Sequence, residues 1–140
     1  MARSGSCDLI AQALRYTLGG TAFLAGADKF TNLLADWDQY LSPMVSRRLP
    51  IGDRNFMRLV GVIEMAVGAS ILKGNTRAGG YIAGAWLLGI SANLISSGKY
   101  LDIAARDVNM AMAAFALARL SARERQRRLA EEDIEVDRAA

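Results

Sequence analysis

Four long apolar stretches constrain this chain of 140 residues more than any other feature. They cover about residues 9–30, 56–72, 79–98 and 103–120 once their flanks are counted. About 20 residues of α-helix cross a hydrocarbon core ~30 Å thick, and these stretches lack the polar face that a helix of a soluble bundle keeps. The sequence therefore predicts an all-α integral membrane protein, a four-helix bundle with antiparallel up-down topology.

The connections between the stretches set the order of the helices. Residues 73–78 and 96–102 are short links, which join antiparallel neighbours. The membrane domain then takes up residues 1–120 and leaves residues 121–140 as a charged tail. Arg127 and Glu131 stand at helical spacing in this tail, which predicts a solvated helical extension. Its basic half is interpreted as a topology signal or as a contact with anionic lipid.

The connection between the first two stretches is longer and amphipathic. Residues 31–55 carry apolar and aromatic side chains at mostly helical spacing, namely Leu33, Leu34, Trp37, Tyr40, Leu41, Met44, Val45 and Leu49. Trp37 and Tyr40 are typical of the headgroup layer of a bilayer. The pattern predicts a helix that lies in the membrane interface, and an ordinary amphipathic loop is the alternative.

Basic residues predict the orientation of the chain. They are concentrated in the link of residues 73–78 and around the start of the tail, as Lys73, Arg77, Arg119, Arg123, Arg125, Arg127 and Arg128. Because such residues stay on the cytoplasmic side, both termini are predicted to be cytoplasmic. Four arginines on the opposite side run against this rule: Arg47, Arg48, Arg54 and Arg58. A cleaved secretory signal is disfavoured because Arg15 interrupts the first apolar run.

The composition limits the chemistry. Cys7 is the only cysteine and there is no histidine, which excludes an internal disulfide, a CxxC pair and imidazole ligation of haem or zinc by this chain alone. The net charge of +3 gives no case for nucleic acid as a partner. The sequence contains no recognisable nucleophile–base pair, metal cluster or phosphate loop. We therefore expect no catalytic residues, no metal and no intrinsic cofactor, with a bound quinone or lipid as the open alternative.

Glu64 is the main candidate for a functional residue, because it lies in the middle of the second apolar stretch. A carboxylate at the bilayer midplane costs ~2.5 kcal/mol or more, so it must face other helices, pair, or hold a proton. Gly61 and Gly68 share its helix face, where a second helix can approach closely. Glu64 is interpreted as a hydrogen-bonding group in a tight helix pair, or as a ligand contact or proton site. Asn93 in the third stretch is its expected partner.

Further polar candidates lie near the outer ends of the first and fourth stretches. They are Asp28, Lys29, Arg106, Asp107 and Asn109. Opposite charges at matched depth predict the pairs Asp28–Arg106 and Lys29–Asp107. Such pairs serve either the architecture of the helices or a polar vestibule above Glu64.

Small residues predict where the helices approach one another. Arg15, Gly19, Ala22, Gly26 and Lys29 form a heptad-like stripe in the first stretch. Glycines allow close contact between membrane helices. The predicted packing positions are Gly19, Gly26, Gly61, Gly68, Gly80, Gly84 and Gly89.

One segment of each stretch carries a resemblance to a known family. The segments are AFLAGADKF (residues 22–30), GVIEMAVGASIL (61–72), GGYIAGAWLLGISANL (79–94) and ARDVNMAMAAFALA (105–118). In order and spacing they resemble the DoxX-like family of small bacterial membrane proteins over most of residues 12–120. The resemblance implies a multi-pass protein of the bacterial cytoplasmic (inner) membrane with four helices and cytoplasmic termini.

The resemblance implies function only loosely. The family takes its name from a subunit associated with a quinone-reducing sulfur oxidase, and related chains accompany other oxidoreductases or have no known activity. Thiol-redox enzymes that share the four-helix architecture use a cysteine pair, which this chain lacks. Their activity is therefore not expected here.

Two functions are predicted from the sequence. The first is a non-catalytic accessory or scaffold subunit, with membrane lipids and either partner subunits or further copies of the chain around it. The alternative is intramembrane binding or transport of a small molecule, such as a quinone, a lipid or a proton-coupled solute, centred on Glu64. An enzyme that acts alone ranks third.

Overall fold

Five α-helices form the regular structure of residues 2–48 and 50–139, the residues that this computed structural model describes. Helix α1 covers Ala2–Asp28, α2 Pro43–Ser46, α3 Asp53–Leu72, α4 Thr76–Ser97 and α5 Leu101–Ala139, and a 3-10 turn covers Trp37–Tyr40. No strand occurs in these residues, so the prediction of an all-helical chain is confirmed.

The two short links are built on glycines with left-handed backbone angles. Gly74 has a φ of +101° after α3, and Gly98 has a φ of +67° after α4. Glycine adopts these angles without the steric cost that a Cβ imposes. Each link reverses the chain, so α4 runs antiparallel to α3 and α5 runs antiparallel to α4.

Helix α5 continues without a break through the predicted tail. Arg127 Nε donates to Glu131 Oε1 at 3.0 Å, and both side chains are exposed. The helical extension of the tail is thereby confirmed.

Helices α1 and α3 form a tight antiparallel pair. A Cβ added to Gly68 would lie 2.6 Å from Gly19 O, and one added to Gly61 would lie 2.6 Å from Gly26 O. Backbones at this separation leave no room for a larger residue.

Arg15 closes the far end of this pair. Its guanidinium donates to Leu72 O, from Nε at 3.1 Å and also from a terminal nitrogen. Leu72 is the last residue of α3, so the arginine satisfies a carbonyl that lacks a partner within its own helix.

Helices α4 and α5 form the second pair. A Cβ on Gly80 would lie 2.7 Å from Ala114 O, and Gly84 faces the ring of Phe115. A shared core joins the two pairs and draws on all four long helices: Ala11, Leu18, Ile71, Ala83, Ala114 and Leu117. Gly89 is different, because a Cβ there would meet nothing within 4 Å. The expectation that it packs against another helix of this chain is wrong.

The segment between α1 and α3 is not one helix. The predicted helix over residues 31–55 is wrong, since only Trp37–Tyr40 and the short α2 are helical there before α3 begins. The reason lies in Asp28, whose carboxylate accepts backbone N–H groups that a helix would need. Leu49, which belonged to that predicted helix, lies outside the described residues. We call residues 30–48 the cap segment.

Helix α1 ends beside the middle of α3. Gly26 contacts Gly61, which is well inside α3, and only two residues later α1 stops at Asp28. The cap segment therefore covers the flank of α3 that α1 leaves open. It is attached there through Arg54 and the half-buried Asp38, whose side chains are 3.5 Å apart, and through Ser46 Oγ, which donates to Asp53.

Two of the described helices, α3 and α4, are long and apolar enough to cross a membrane by length and composition. Their most apolar 18-residue windows have a mean hydropathy of 1.5 and 1.3. Only 33% and 28% of the residues in these windows are buried within the chain, so most of them keep some accessible surface.

Candidate functional site

A buried ion pair joins the end of α1 to the middle of α3. Lys29 Nζ lies 2.5 Å from Glu64 Oε2, and the two residues are only 7% and 9% exposed. Gly61 makes this contact possible, because it lets α1 approach α3 one turn before Glu64. At such burial each charge depends on the other, since an isolated one would carry its full desolvation cost.

Two indole rings enclose this pair. Lys29 Nζ lies 3.7 Å from the centroid of the Trp37 ring, which is cation–π geometry. On the other side, Trp86 Nε1 donates to Glu64 Oε1 at 3.4 Å. The lysine is therefore held from the cap segment, and the glutamate is held from α4.

Asp28 organises the cap segment around its carboxylate. Its oxygens accept the backbone N–H groups of Leu33, Leu34 and Ala35 at 2.9–3.3 Å. Oδ2 also accepts from Trp37 Nε1 at 2.8 Å. Asp28 thus fixes the indole whose face contacts the neighbouring lysine.

The cross-helix pairs predicted from the sequence are wrong. Asp28 bonds within the cap segment rather than to Arg106, and Lys29 pairs with Glu64 rather than with Asp107. Arg106 instead donates to its neighbour Asp107 at 2.9 Å. Asn109 bonds to Ala105 O in its own helix. Because α1 ends halfway along α3, its terminal charges meet α3 and the cap segment before they reach α5.

Asn93 holds the cap segment rather than Glu64. Its Nδ2 donates to Tyr40 O at 2.9 Å, and its Oδ1 accepts from Ser42 N at 3.1 Å. The Tyr40 ring packs edge-on against Tyr100, with centroids 4.8 Å apart. The expected contact between Asn93 and Glu64 is wrong, because the cap segment takes both of the amide's polar atoms.

An open cleft of about 190 Å³ lies beside the ion pair. It occupies the gap left where α1 ends, between the start of the cap segment and the first turns of α3. Its walls are formed by Lys29, Phe30, Thr31, Asn32, Asp38, Arg54 and Arg58. Three of these side chains are cationic and one is anionic.

The arrangement can bind, orient and neutralise charge. Glu64 is fully engaged by Lys29 and Trp86, so its carboxylate is part of a closed network. In the part of the chain that the structure describes, no three histidine, cysteine or carboxylate side chains are grouped as metal ligands would be. The cationic cleft beside the pair is open to a ligand.

A second polar contact lies at the opposite end of the helices. Burial and the neighbouring Asp8 carboxyl raise the pKa of Glu124, and Arg128 acts in the opposite direction. This contact joins the first part of α1 to the extension of α5, outside the four apolar stretches.

The roles of the two tryptophans could not be predicted from the sequence. Trp37 was interpreted as a residue of the membrane interface, so its contact with Lys29 was not predicted. Trp86 lies among many apolar residues of the third stretch, so nothing distinguished it as a partner of Glu64. The one usable signal was the stripe that contains Gly26 and Lys29, which places a cation on the same face as the close-packing glycines.

Comparisons of the chain with protein-family models, with curated proteins and with solved structures found no match.

Proposed function

We propose that this chain is an integral membrane protein with four crossings, in which α3, α4 and α5 cross the bilayer and α1 together with the cap segment makes the first crossing, and that it acts as a non-catalytic accessory or scaffold subunit of a membrane complex. The observation that carries the proposal is an inverted distribution of side chains. Asp28, Lys29, Glu64 and Asp107 are buried, whereas large apolar side chains along the helices are exposed. Lipid accepts such a surface and water does not.

The outward apolar surface extends to α1 and α5, which supports their assignment as spans beside α3 and α4. The exposed apolar side chains of these two helices include Leu9, Ile10, Tyr16, Phe23, Leu24, Leu101, Val108 and Met112. The charged residues within α1 and α5 are paired or lie near the ends of these helices. Arg15 binds the end of α3, and Arg106 binds Asp107.

The direction of the helices supports a common side for both termini. Four antiparallel spans bring the start of α1 and the extension of α5 together, where Asp8 neighbours Glu124. Arginines are concentrated on that extension, so this side is the cytoplasmic one in the proposal, and the membrane is the inner membrane of a bacterium. The cap segment then faces the opposite side.

The scaffold role is supported by what the polar groups do. Glu64 pairs with Lys29 and accepts from Trp86, so α3 is joined both to the end of α1 and to α4. Buried pairs of this kind specify geometry. The resemblance to the DoxX-like proteins makes a redox complex the expected setting.

One outward face suits a partner helix. On α4, small residues repeat at helical spacing and are exposed, namely Ala85, Gly89, Ala92 and Ser96. Membrane helices associate through such faces, because small residues allow backbones to approach. The proposed occupant is a transmembrane helix of a partner subunit.

The test is native mass spectrometry, with an absorption spectrum, on the protein taken from its own membrane in mild detergent. We expect a partner chain in fixed stoichiometry. Gly89→Leu should release it, whereas Ala116→Leu, which places the same bulk on an exposed position of α5, should retain it. A clean monomer without a partner, or a Gly89→Leu protein that keeps its partner, contradicts the scaffold role.

The second candidate is binding or transport of a small molecule, and the cleft beside Lys29 is the observation that favours it. A quinone, a lipid or a proton-coupled solute centred on Glu64 would depend on the Lys29–Glu64 pair. Glu64→Gln should then change the amount of co-purified small molecule. If the bound molecules stay the same in a folded variant, this candidate is rejected.

A further inference from the structure

We propose that the cleft beside Lys29 binds the phosphate group of an anionic phospholipid. The inference rests on the membrane placement proposed above and goes beyond it, because it assigns a ligand class to a site. It is carried by the charge, the position and the apolar surroundings of the cleft.

The charge of the cleft favours an anion. Arg54 and Arg58 extend from neighbouring turns of α3, and Lys29 forms the inner wall. The charge of Lys29 is neutralised by Glu64, and the charge of Arg54 is partly neutralised by Asp38, whose Oδ2 lies 3.5 Å from Arg54 Nε. In the described part of the chain no salt bridge engages Arg58, so the cleft keeps a positive charge.

The geometry of the donors suits a phosphate. Arg54 and Arg58 stand four residues apart on one helix face, so two guanidinium groups point toward the same space. Guanidinium groups bind phosphate oxygens in bidentate fashion. The side chain of Arg54 is 73% exposed, so it can turn from Asp38 toward a ligand without leaving a buried charge behind. The cleft, at about 190 Å³, has room for a headgroup phosphate.

The position of the cleft favours a lipid over a soluble phosphate. Arg58 lies five residues after the start of α3, or about 8 Å along the helix, where arginine reaches the headgroup layer. Phe30 lines the cleft, and the leucines that follow in the cap segment are strongly exposed, Leu33 at 84% and Leu34 at 76%. These side chains offer contact to acyl chains beside the phosphate.

The proposal also explains an exception in the sequence. Arg54 and Arg58 lie on the side where arginines are depleted in a chain with cytoplasmic termini. Binding a lipid phosphate gives Arg54 and Arg58 a function on this side, which explains why arginines are found where the topology rule disfavours them.

The test uses the full chain, purified in mild detergent and titrated with short-chain phosphatidylglycerol, phosphatidylcholine or inorganic phosphate, with bound ligand counted by native mass spectrometry. We expect phosphatidylglycerol to bind at least about tenfold more tightly than phosphatidylcholine. Arg58→Gln should raise its Kd about tenfold, since one charge-assisted contact is lost. Arg54→Gln is the second variant. The matched control is Arg48→Gln, an exposed arginine of the cap segment outside the cleft, with less than a twofold effect.

Three results overturn the proposal. Equal binding of the two lipids shows that the cleft does not select for charge. A loss of affinity in Arg48→Gln as large as that in Arg58→Gln shows that the lipid binds a diffuse basic surface. Inorganic phosphate that displaces phosphatidylglycerol at a concentration near the lipid's own Kd identifies a free phosphate compound as the ligand. Resistance of the chain to alkaline carbonate extraction is measured separately. A chain that resists extraction but ignores phosphatidylglycerol refutes the lipid site alone, and an extracted chain refutes the membrane placement as well.

Discussion

Lys29 Nζ lies 2.5 Å from Glu64 Oε2, although Lys29 directly follows the last residue of α1 and Glu64 is in the middle of α3. The contact exists because α1 ends halfway along α3 and the cap segment closes the space above it. The same offset creates the cleft beside Lys29 and keeps Asp28 and Lys29 away from α5. One structural feature, the early end of α1, thus accounts for the ion pair, the cap segment and the cleft.

Removing one partner of the Lys29–Glu64 pair should destabilise the protein far more than removing both. Glu64→Gln or Lys29→Met leaves a buried charge without its counter-ion, which costs about 3–5 kcal/mol. The double variant should recover most of that loss. Thermal unfolding in detergent measures the cycle, and the exposed pair Arg127 and Glu131 is the control, where the same treatment should leave unfolding unchanged. Additive single and double losses would show that the two residues do not depend on each other.

Glycine substitutions should separate packed from open helix faces. Gly68→Ala places a Cβ 2.6 Å from the backbone of α1, and overpacking of this kind costs about 1–3 kcal/mol. Gly89→Ala meets nothing within 4 Å and should stabilise α4 by about 0.5–1 kcal/mol. Thermal unfolding of the two variants in the same detergent checks the difference in sign. A destabilised Gly89→Ala protein would mean that this face is already occupied, for instance by a second copy.

Asp28 should control the position of Trp37. Asp28→Ala removes the acceptor of the indole N–H and of three backbone N–H groups, so the cap segment should loosen and the Trp37 ring should become more accessible. Acrylamide quenching of fluorescence in a Trp86→Phe background, where Trp37 is the only tryptophan, measures this access. Asp36→Ala changes an exposed carboxylate of the same segment and should leave the quenching unaffected. Equal quenching in all three proteins would refute the role of Asp28.

The sequence predicted the helices well and the contacts of their ends poorly. Apolar stretches and turn glycines are local signals, so α3, α4 and the extension of α5 follow from composition and spacing alone. The partner of Lys29 depends on how far α1 travels along α3, and that register is set by the paired glycines Gly26 and Gly61. A sequence shows that both glycines allow close contact, but not that they meet each other. The prediction of a helix in the cap segment failed for a related reason, because helical spacing does not reveal that the Asp28 carboxylate accepts the backbone N–H groups.

Stability should fall as the pH rises through the range just above the ordinary pKa of a glutamate. Burial and Asp8 raise the pKa of Glu124 above its usual value of 4.5 in the folded chain, so the folded state holds the proton more tightly than the unfolded state. Stability is then greatest below the unfolded pKa and decreases until the pH exceeds the folded pKa. Thermal unfolding between about pH 4 and pH 8 measures this slope. Glu124→Gln should flatten it, whereas Glu131→Gln, an exposed residue of the same helix, should not. An unchanged slope in Glu124→Gln would assign the pH dependence to other groups.

Cys7 offers a direct measurement of orientation, because it is the only cysteine and it is exposed near the start of α1. With cytoplasmic termini, a membrane-impermeant maleimide should leave Cys7 unlabelled in intact cells and label it after lysis. In a Cys7→Ser background, Arg48→Cys places the single thiol at an exposed polar position of the cap segment and should show the reverse pattern. Labelling of Cys7 in intact cells would invert the topology, and with it the leaflet that supplies a lipid to the cleft. Labelling of both positions in intact cells would contradict the four-span arrangement, because the first crossing should separate the start of the chain from the cap segment.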